Sequence, residues 1–271
     1  SVGINVDAGT NAIIDVDVVK TGVDGDGADS TGILVSAGGN IAVDANNVFT
    51  DGVNSRGLSA VSLGGETIEI SVSETVNTLG SNSTGIWAAS DSSYIEVDAN
   101  VINTAGADSY GVYAAGASVD VYVTDTVSTK GSNADGIWAK ADGVDGDAFV
   151  FVDNVTTEGY SARGVTVLAT GSGGDAMGVV HTIDTYTDFV SANNVGNAAG
   201  LTVGSYNGNA FAYAVEINTH GTNSDGVYVR GTTGTVKAYA HTIITDGAHS
   251  RGIFALSTSG AITADSFLSI T

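Results

Sequence analysis

The sequence predicts an all-β chain wound as a right-handed parallel β-helix, with about ten turns of roughly 26 residues and three short strands in each turn. Three observations carry that expectation. A short phrase repeats along the whole chain, the apolar residues inside each repeat alternate with period two, and the composition disfavours helices while supplying turns.

The phrase is Thr-x-Gly-x-x-Ser-x-Gly followed by Ile, Val or Leu. It reads Thr50, Gly52, Ser55, Gly57, Leu58 and then Thr78, Gly80, Ser83, Gly85, Ile86, and it returns at Thr104–Val112, Thr129–Ile137, Thr157–Val165, Thr219–Val227 and Thr245–Ile253. Its closing glycine falls at Gly3, Gly32, Gly57, Gly85, Gly111, Gly136, Gly164, Gly200, Gly226 and Gly252, at intervals of 25 to 29 residues apart from one of 36. A glycine fixed at that place suits a turn with positive φ or a close approach of backbones. The serines Ser30, Ser55, Ser83, Ser109, Ser224 and Ser250 would stack as a column if the turns lie one above another.

After each closing glycine comes an aliphatic residue, from Ile4 and Ile33 through Ile86 and Val112 to Ile253. Two positions later stands a small or branched one, such as Val35, Ala60, Ala88 or Val229. That spacing places both on one face of a strand. A second alternating run follows, as in Ile41–Val43, Ile68–Ile70, Ile95–Val97, Val119–Val123 and Phe149–Phe151. A third and shorter one leads back to the phrase, as in Val76–Thr78 and Val127–Thr129. Three short strands per turn are the result.

Other repeat folds fit less well. A propeller blade needs about 40–45 residues, and a leucine-rich repeat needs a leucine ladder that the chain's 8 leucines cannot build. Turns stacked at the inter-strand spacing of about 4.8 Å give a rod on the order of 50 Å long. The absence of proline agrees with strands whose N–H groups nearly all donate to the next turn.

Composition bounds the function. The chain has 271 residues, 38 of them glycine, and 42% are hydrophobic, enough for a large core. With 30 acidic against 8 basic residues its net charge is −22, so nucleic acid and anionic membrane surfaces would be repelled. There is no cysteine, which removes disulfides and thiol chemistry, and no apolar stretch long enough for a membrane-spanning helix. The chain opens at Ser1 without Met or a signal peptide, as expected of a mature or excised piece. One domain, 1–271, is expected, with an irregular longer turn at about 171–197 that carries Met177, His181, Tyr186 and Phe189 and packs against the rod, a specialised binding loop being the alternative.

The position between the two inward columns of the first strand points outward, and there Trp87, Tyr113 and Trp138 occupy three consecutive turns, with Tyr228 and Phe254 further along. Such a stripe is a candidate surface for sugar rings or another protein, and the same stacking also stabilises strands by cross-strand pairing alone. Arg56, Arg163 and Arg251 precede closing glycines and are expected to be solvated. Two acidic turns, Asp24, Asp26, Asp29 and Asp142, Asp145, Asp147, offer oxygens of the kind calcium prefers. Val35 stands where an EF-hand needs its bidentate Glu, so solvated turn residues are the favoured reading and calcium the alternative. No other cofactor is expected. No Gly-x-Ser-x-Gly elbow, Walker loop or His-Glu-x-x-His is present, and the four histidines are dispersed, which argues against an enzyme.

The tandem Thr-x-Gly-x-x-Ser-x-Gly-Ile-x-Ala units with Gly/Asn/Asp turns resemble the β-helical passenger region of bacterial autotransporters, the type V-secreted proteins that include pertactin-like adhesins. The resemblance covers essentially the whole chain. It implies a Gram-negative cell-surface or secreted protein, exported through the periplasm and then through an outer-membrane β-barrel, a route that suits a chain without cysteine or proline. It also implies adhesion or self-association, with partners that are proteins or glycans on host, matrix or sister cells. A structural filament or surface layer assembled by end-to-end stacking is the alternative, and a carbohydrate-active β-helix enzyme the third class.

Overall fold

The computed structural model describes residues 2–22, 28–186 and 199–270, with the side chains of 267–270 left aside. The described residues are all-β and contain no helix. Each rung of the solenoid holds one short and one long strand. β1 (Ile4–Ala8) and β2 (Ala12–Thr21) make the first rung, β3 (Ile33–Ala37) and β4 (Ile41–Asp51) the second, and β5 (Leu58–Ser62) and β6 (Ile68–Leu79) the third. β7 (Ile86–Ala89) with β8 (Tyr94–Ala105), β9 (Val112–Gly116) with β10 (Ser118–Lys130), and β11 (Ile137–Ala141) with β12 (Ala148–Glu158) form rungs four to six. β13 (Val165–Ala169) with β14 (Ala176–Tyr186), β15 (Leu201–Ser205) with β16 (Ala210–His220), β17 (Val227–Gly231) with β18 (Val236–Thr245), and β19 (Ile253–Ser257) with β20 (Ile262–Ile270) complete ten rungs.

The short strands pair in parallel as one ten-stranded sheet and the long strands as another, each strand bonded to its counterparts in the rungs before and after. Ile86 lies opposite Val112, and Val112 opposite Ile137, so the aliphatic column after the closing glycines is continuous. A single apolar cluster runs along the rod from Ala12 to Ile243, with Ile33, Leu58, Ile86, Ile137 and Leu201 fully buried.

Two expectations need correction. The predicted second and third strands are one long strand, bent at a corner. In β6 the inward residues Ile68, Ile70 and Val72 give way to Ser73 and Glu74, both outward, before Val76 and Thr78 turn inward again. The pairing shifts register between Val72 and Thr75 at the same place, a bulge that turns the chain without ending the ladder. Both arms keep bonding to the next rung, so hydrogen bonding counts two strands where side-chain facing counts three sides. The second correction concerns 171–197: residues 176–186 form a regular strand paired to β12 and β16, while residues 187–197, Phe189 included, lie outside the described residues.

The repeated phrase is a turn with an internal hydrogen-bond scaffold. Its Thr hydroxyl donates to the carbonyl five residues on, at 2.8 Å from Thr50 to Ser55 and 2.6 Å from Thr78 to Ser83. Its Ser hydroxyl accepts from the backbone of the serine one rung earlier: Ser55 N–H to Ser83 Oγ spans 3.0 Å and Ser83 N–H to Ser109 Oγ 2.9 Å. Buried hydroxyls of this kind are tolerated because they are satisfied. The closing glycine is set by close approach: a Cβ on Gly57 would lie 2.6 Å from the carbonyl oxygen of Gly85.

Candidate functional site

The predicted aromatic stripe exists and is closed on itself. Outward residues of β7, β9 and β11 stack in one column, Trp87 on Tyr113 at 3.8 Å between ring centroids and 9° between planes, and Tyr113 on Trp138 at 4.7 Å and 8°. Parallel in-register strands place equivalent side chains directly over one another, so rings standing off the sheet meet face to face. The outer face of Trp87 is covered by the Arg56 guanidinium 4.0 Å away, Tyr110 leans on Tyr113 at 5.6 Å, and beyond Trp138 the column continues with buried Thr166. All three rings are half-buried, and what they present outward is their edges. Tyr228 and Phe254 form a separate tilted pair at 5.4 Å. Arg251 lies 3.6 Å over Phe254 and donates from Nε and Nη2 to the Asp225 carboxylate at 3.0 and 2.5 Å. Arg251 is exposed, as expected, and also stacks on a ring, whereas Arg56, expected to be solvated, is half-buried against Trp87. Burial pulls the Arg56 guanidinium down, while the hydrogen bond it donates to Asp225 raises that of Arg251.

Of the residues in the two acidic turns, Asp29, Asp142, Asp145 and Asp147 are described. Asp24 and Asp26 lie outside the described residues, and Asp29 occupies a left-handed turn position at φ 57°. Asp142 accepts from Lys140 Nζ at 3.0 Å, Asp145 is left-handed at φ 54°, and Asp147 accepts the Asp175 N–H at 2.8 Å. Among the described residues no three His, Asp or Glu side chains are placed to hold a metal ion. The histidines are likewise apart. His220 stacks on Tyr186 at 4.7 Å and meets Asp246 at 2.7 Å on the surface, and His181 stands 3.8 Å from Asp153.

A surface that the sequence reading missed lies on the first arm of the long strands. Two outward columns run there. One comprises Ile13, Ala42, Glu69, Glu96, Asp120, Phe149, Met177, Phe211 and Lys237, and the other Asp15, Asp44, Ser71, Asp98, Tyr122, Phe151, Val179, Tyr213 and Tyr239. The early rungs are acidic and the later ones aromatic. Tyr122 and Phe149 tilt together at 5.3 Å and 49°, Phe211 and Tyr239 at 5.8 Å and 51°, while Met177 and Tyr213 are 37% and 36% exposed. Toward the first rungs the same face forms a groove of about 510 Å³ walled by Asp15, Asp44, Glu69, Ser71, Glu96 and Asp98. Burial raises the Asp98 carboxyl, and burial together with Asp120, Glu96 and Asp98 raises the Tyr122 hydroxyl. Tyr94 donates to Asp120 at 2.7 Å and to Glu96 at 3.3 Å, which closes the acidic half toward the rings. No ion pair among the described residues engages a carboxylate of this groove.

Phe149 and Phe151, named above only as an alternating run, belong to this outward face. Asp120 pairs with Phe149 and Val121 with Val150, so Ala148, Val150 and Val152 fill the core and both phenylalanines face out. The signal was in the columns: Ala-x-Val-x-Val at 148–152 repeats the inward spacing of Val119, Val121 and Val123. A core already lined with Val and Ile at this level has no room for a column of rings.

No family model, curated protein or solved structure matches the chain. No helix among the described residues is long and apolar enough to cross a membrane.

Proposed function

We propose that the chain is a non-catalytic binding rod that acts in adhesion at a bacterial cell surface, and that its working face is the outer face of the long strands' first arm. The single observation that carries this reading is the set of rings and aliphatic side chains on rungs five to nine, from Tyr122 and Phe149 to Tyr239, which stand outward on one sheet, half-buried apart from the exposed Met177 and Tyr213. An adhesin needs a broad, rigid, non-reactive surface, and the solenoid supplies rigidity by bonding every strand to two neighbours. The resemblance to autotransporter passengers supports export to the surface, since a chain without cysteine and proline suits threading through a narrow pore. Carbohydrate-active β-helices require clustered acids with bases in a cleft, and here the acids line up in an unpaired row.

Beads coated with the protein should attach to bacterial or host cell layers. The variant Phe149→Ser, Phe151→Ser, Phe211→Ser, Tyr213→Ser should lose most attachment while keeping its β-rich circular dichroism. Equal attachment by both proteins would overturn the reading, and so would release of reducing ends from polysaccharide by the unmodified protein. Self-association by end-to-end stacking is the second reading. It is favoured by the parallel, in-register pairing of successive rungs, a ladder that a second copy could continue. Rods of multiple unit length in electron micrographs would support it.

A further inference from the structure

The geometry points to an arginine-rich, extended polypeptide segment of another protein as the partner of this face, lying along the rod with its cations over the acidic rungs and its guanidinium planes against the rings. This rests on the adhesive reading of the same face and names the chemistry of what it holds.

The apolar half by itself would accept any flat or aliphatic ligand, and charge complementarity makes the choice. The two columns that carry the rings continue, within the same sheet and at the same rung spacing of about 4.8 Å, into Asp98, Glu96, Glu69, Asp44 and Asp15. A ligand seated on the rings and following the rod meets those carboxylates next. No lysine or arginine pairs with them among the described residues, and the chain as a whole has 8 basic residues to 30 acidic ones, so the neutralising charge has to come from outside. Anionic glycans and anionic lipid are repelled, and neutral sugars leave the acidic half unanswered.

Arginine rather than lysine follows from the rings. Guanidinium stacks flat on an aromatic face and bonds a carboxylate in a bidentate fork, whereas an ammonium is a strongly hydrated point charge. The chain already uses this chemistry internally, with Arg56 at 4.0 Å over Trp87, and Arg251 at once over Phe254 and forked on Asp225. An extended segment advances about 3.3 Å per residue, so roughly a dozen residues would cross the acidic and aromatic rungs together.

The test uses a fluorescein-labelled peptide of twelve alternating arginines and serines, with lysine–serine and glutamate–serine versions as controls, titrated with the whole chain. The arginine peptide should bind at least fivefold more tightly than the lysine peptide and lose tenfold or more between 50 and 300 mM NaCl, while the glutamate peptide should not bind. The variant Asp15→Asn, Asp44→Asn, Glu69→Gln, Glu96→Gln, Asp98→Asn should weaken binding at least tenfold. A variant of equal charge made elsewhere, Asp7→Asn, Asp29→Asn, Asp91→Asn, Asp108→Asn, Asp125→Asn, should change it less than threefold. The four-ring serine variant described above should abolish the preference for arginine over lysine. Circular dichroism melts accompany every variant. Equal weakening by both charge variants would reduce the effect to bulk charge and overturn the assignment, as would loss of affinity without loss of arginine preference in the ring variant. Retention of neutral oligosaccharide such as cellohexaose by the rings, without peptide binding, would overturn this partner while leaving the adhesive reading standing.

Discussion

Two groups of rings stand on the outside of one rod, and they are packed in different ways. On the short-strand sheet Trp87, Tyr113 and Trp138 share a single column in consecutive rungs, lie nearly parallel, and cover one another's faces. On the long-strand sheet the rings are spread over two columns, interrupted by Met177 and Val179, and meet only at tilts near 50°. Both groups are aromatic, outward and in register with the rungs. What separates them is whether the next ring along the axis removes the free π-face. A ladder spends its surface on the strands beneath it, whereas a broken pattern leaves surface for something else.

The largest expected effect breaks the ladder. Tyr113→Ala removes both stacks and opens a gap between two tryptophans, which should cost about 3 kcal/mol in urea unfolding while cell attachment is unchanged. A variant that keeps its stability and loses attachment would reverse the roles assigned to the two groups.

The next effect is nearly as large and confined to the same side. Asp135, three residues before Trp138, is buried, accepts the Arg163 N–H at 2.7 Å, and has its carboxyl pushed up to about 6 by loss of solvent, an effect that Arg163 only partly offsets. The folded state therefore keeps this proton to higher pH than the unfolded chain does. Stability from this group is full below about pH 4 and is lost as pH rises through about 6, for a total of up to about 3 kcal/mol. Asp135→Asn preserves an acceptor for the Arg163 N–H, so it should raise the melting temperature at pH 8 and flatten the dependence between pH 4 and 7. Wild-type melts that do not fall across that interval relative to the variant would show that Asp135 is not held protonated. The long-strand rings should not respond, since Asp135 lies in the turn that leads into the short strand β11.

Much of this was legible in the sequence because stacking makes columns of equal residues. Ile86 opposite Val112, the column of serines and the order of Trp87, Tyr113 and Trp138 all follow from counting forward from the closing glycine. What alternation leaves open is which of its two columns faces in: Phe149 and Phe151 alternate as Ile41 and Val43 do, yet they face out and Ala148, Val150 and Val152 face in. The bent strand was missed for another reason: two successive outward residues such as Ser73 and Glu74 end an alternation in sequence, yet the backbone ladder passes through them. Ring orientation was not legible at all, since χ angles are set by neighbours in adjoining rungs.

The smallest expected effect is also the one that most sharpens the contrast. Phe151 sits between Tyr122 and Val179 in the outward column, on strands whose backbone bonding does not depend on it. Replacing it with serine keeps the strand, exchanges a half-exposed ring for a small hydroxyl, and leaves no cavity because the core beneath is closed by Val150 and Val152. The unfolding free energy should therefore move by no more than about 1 kcal/mol, the range of strand preference at an exposed site. Attachment should fall measurably even so, because a ring at the centre of a docking face contributes where it meets the partner. Should Phe151→Ser instead cost as much as Tyr113→Ala, the long-strand rings would be sealing the rod just as the ladder does, and the distinction between a closed and an open aromatic surface would disappear.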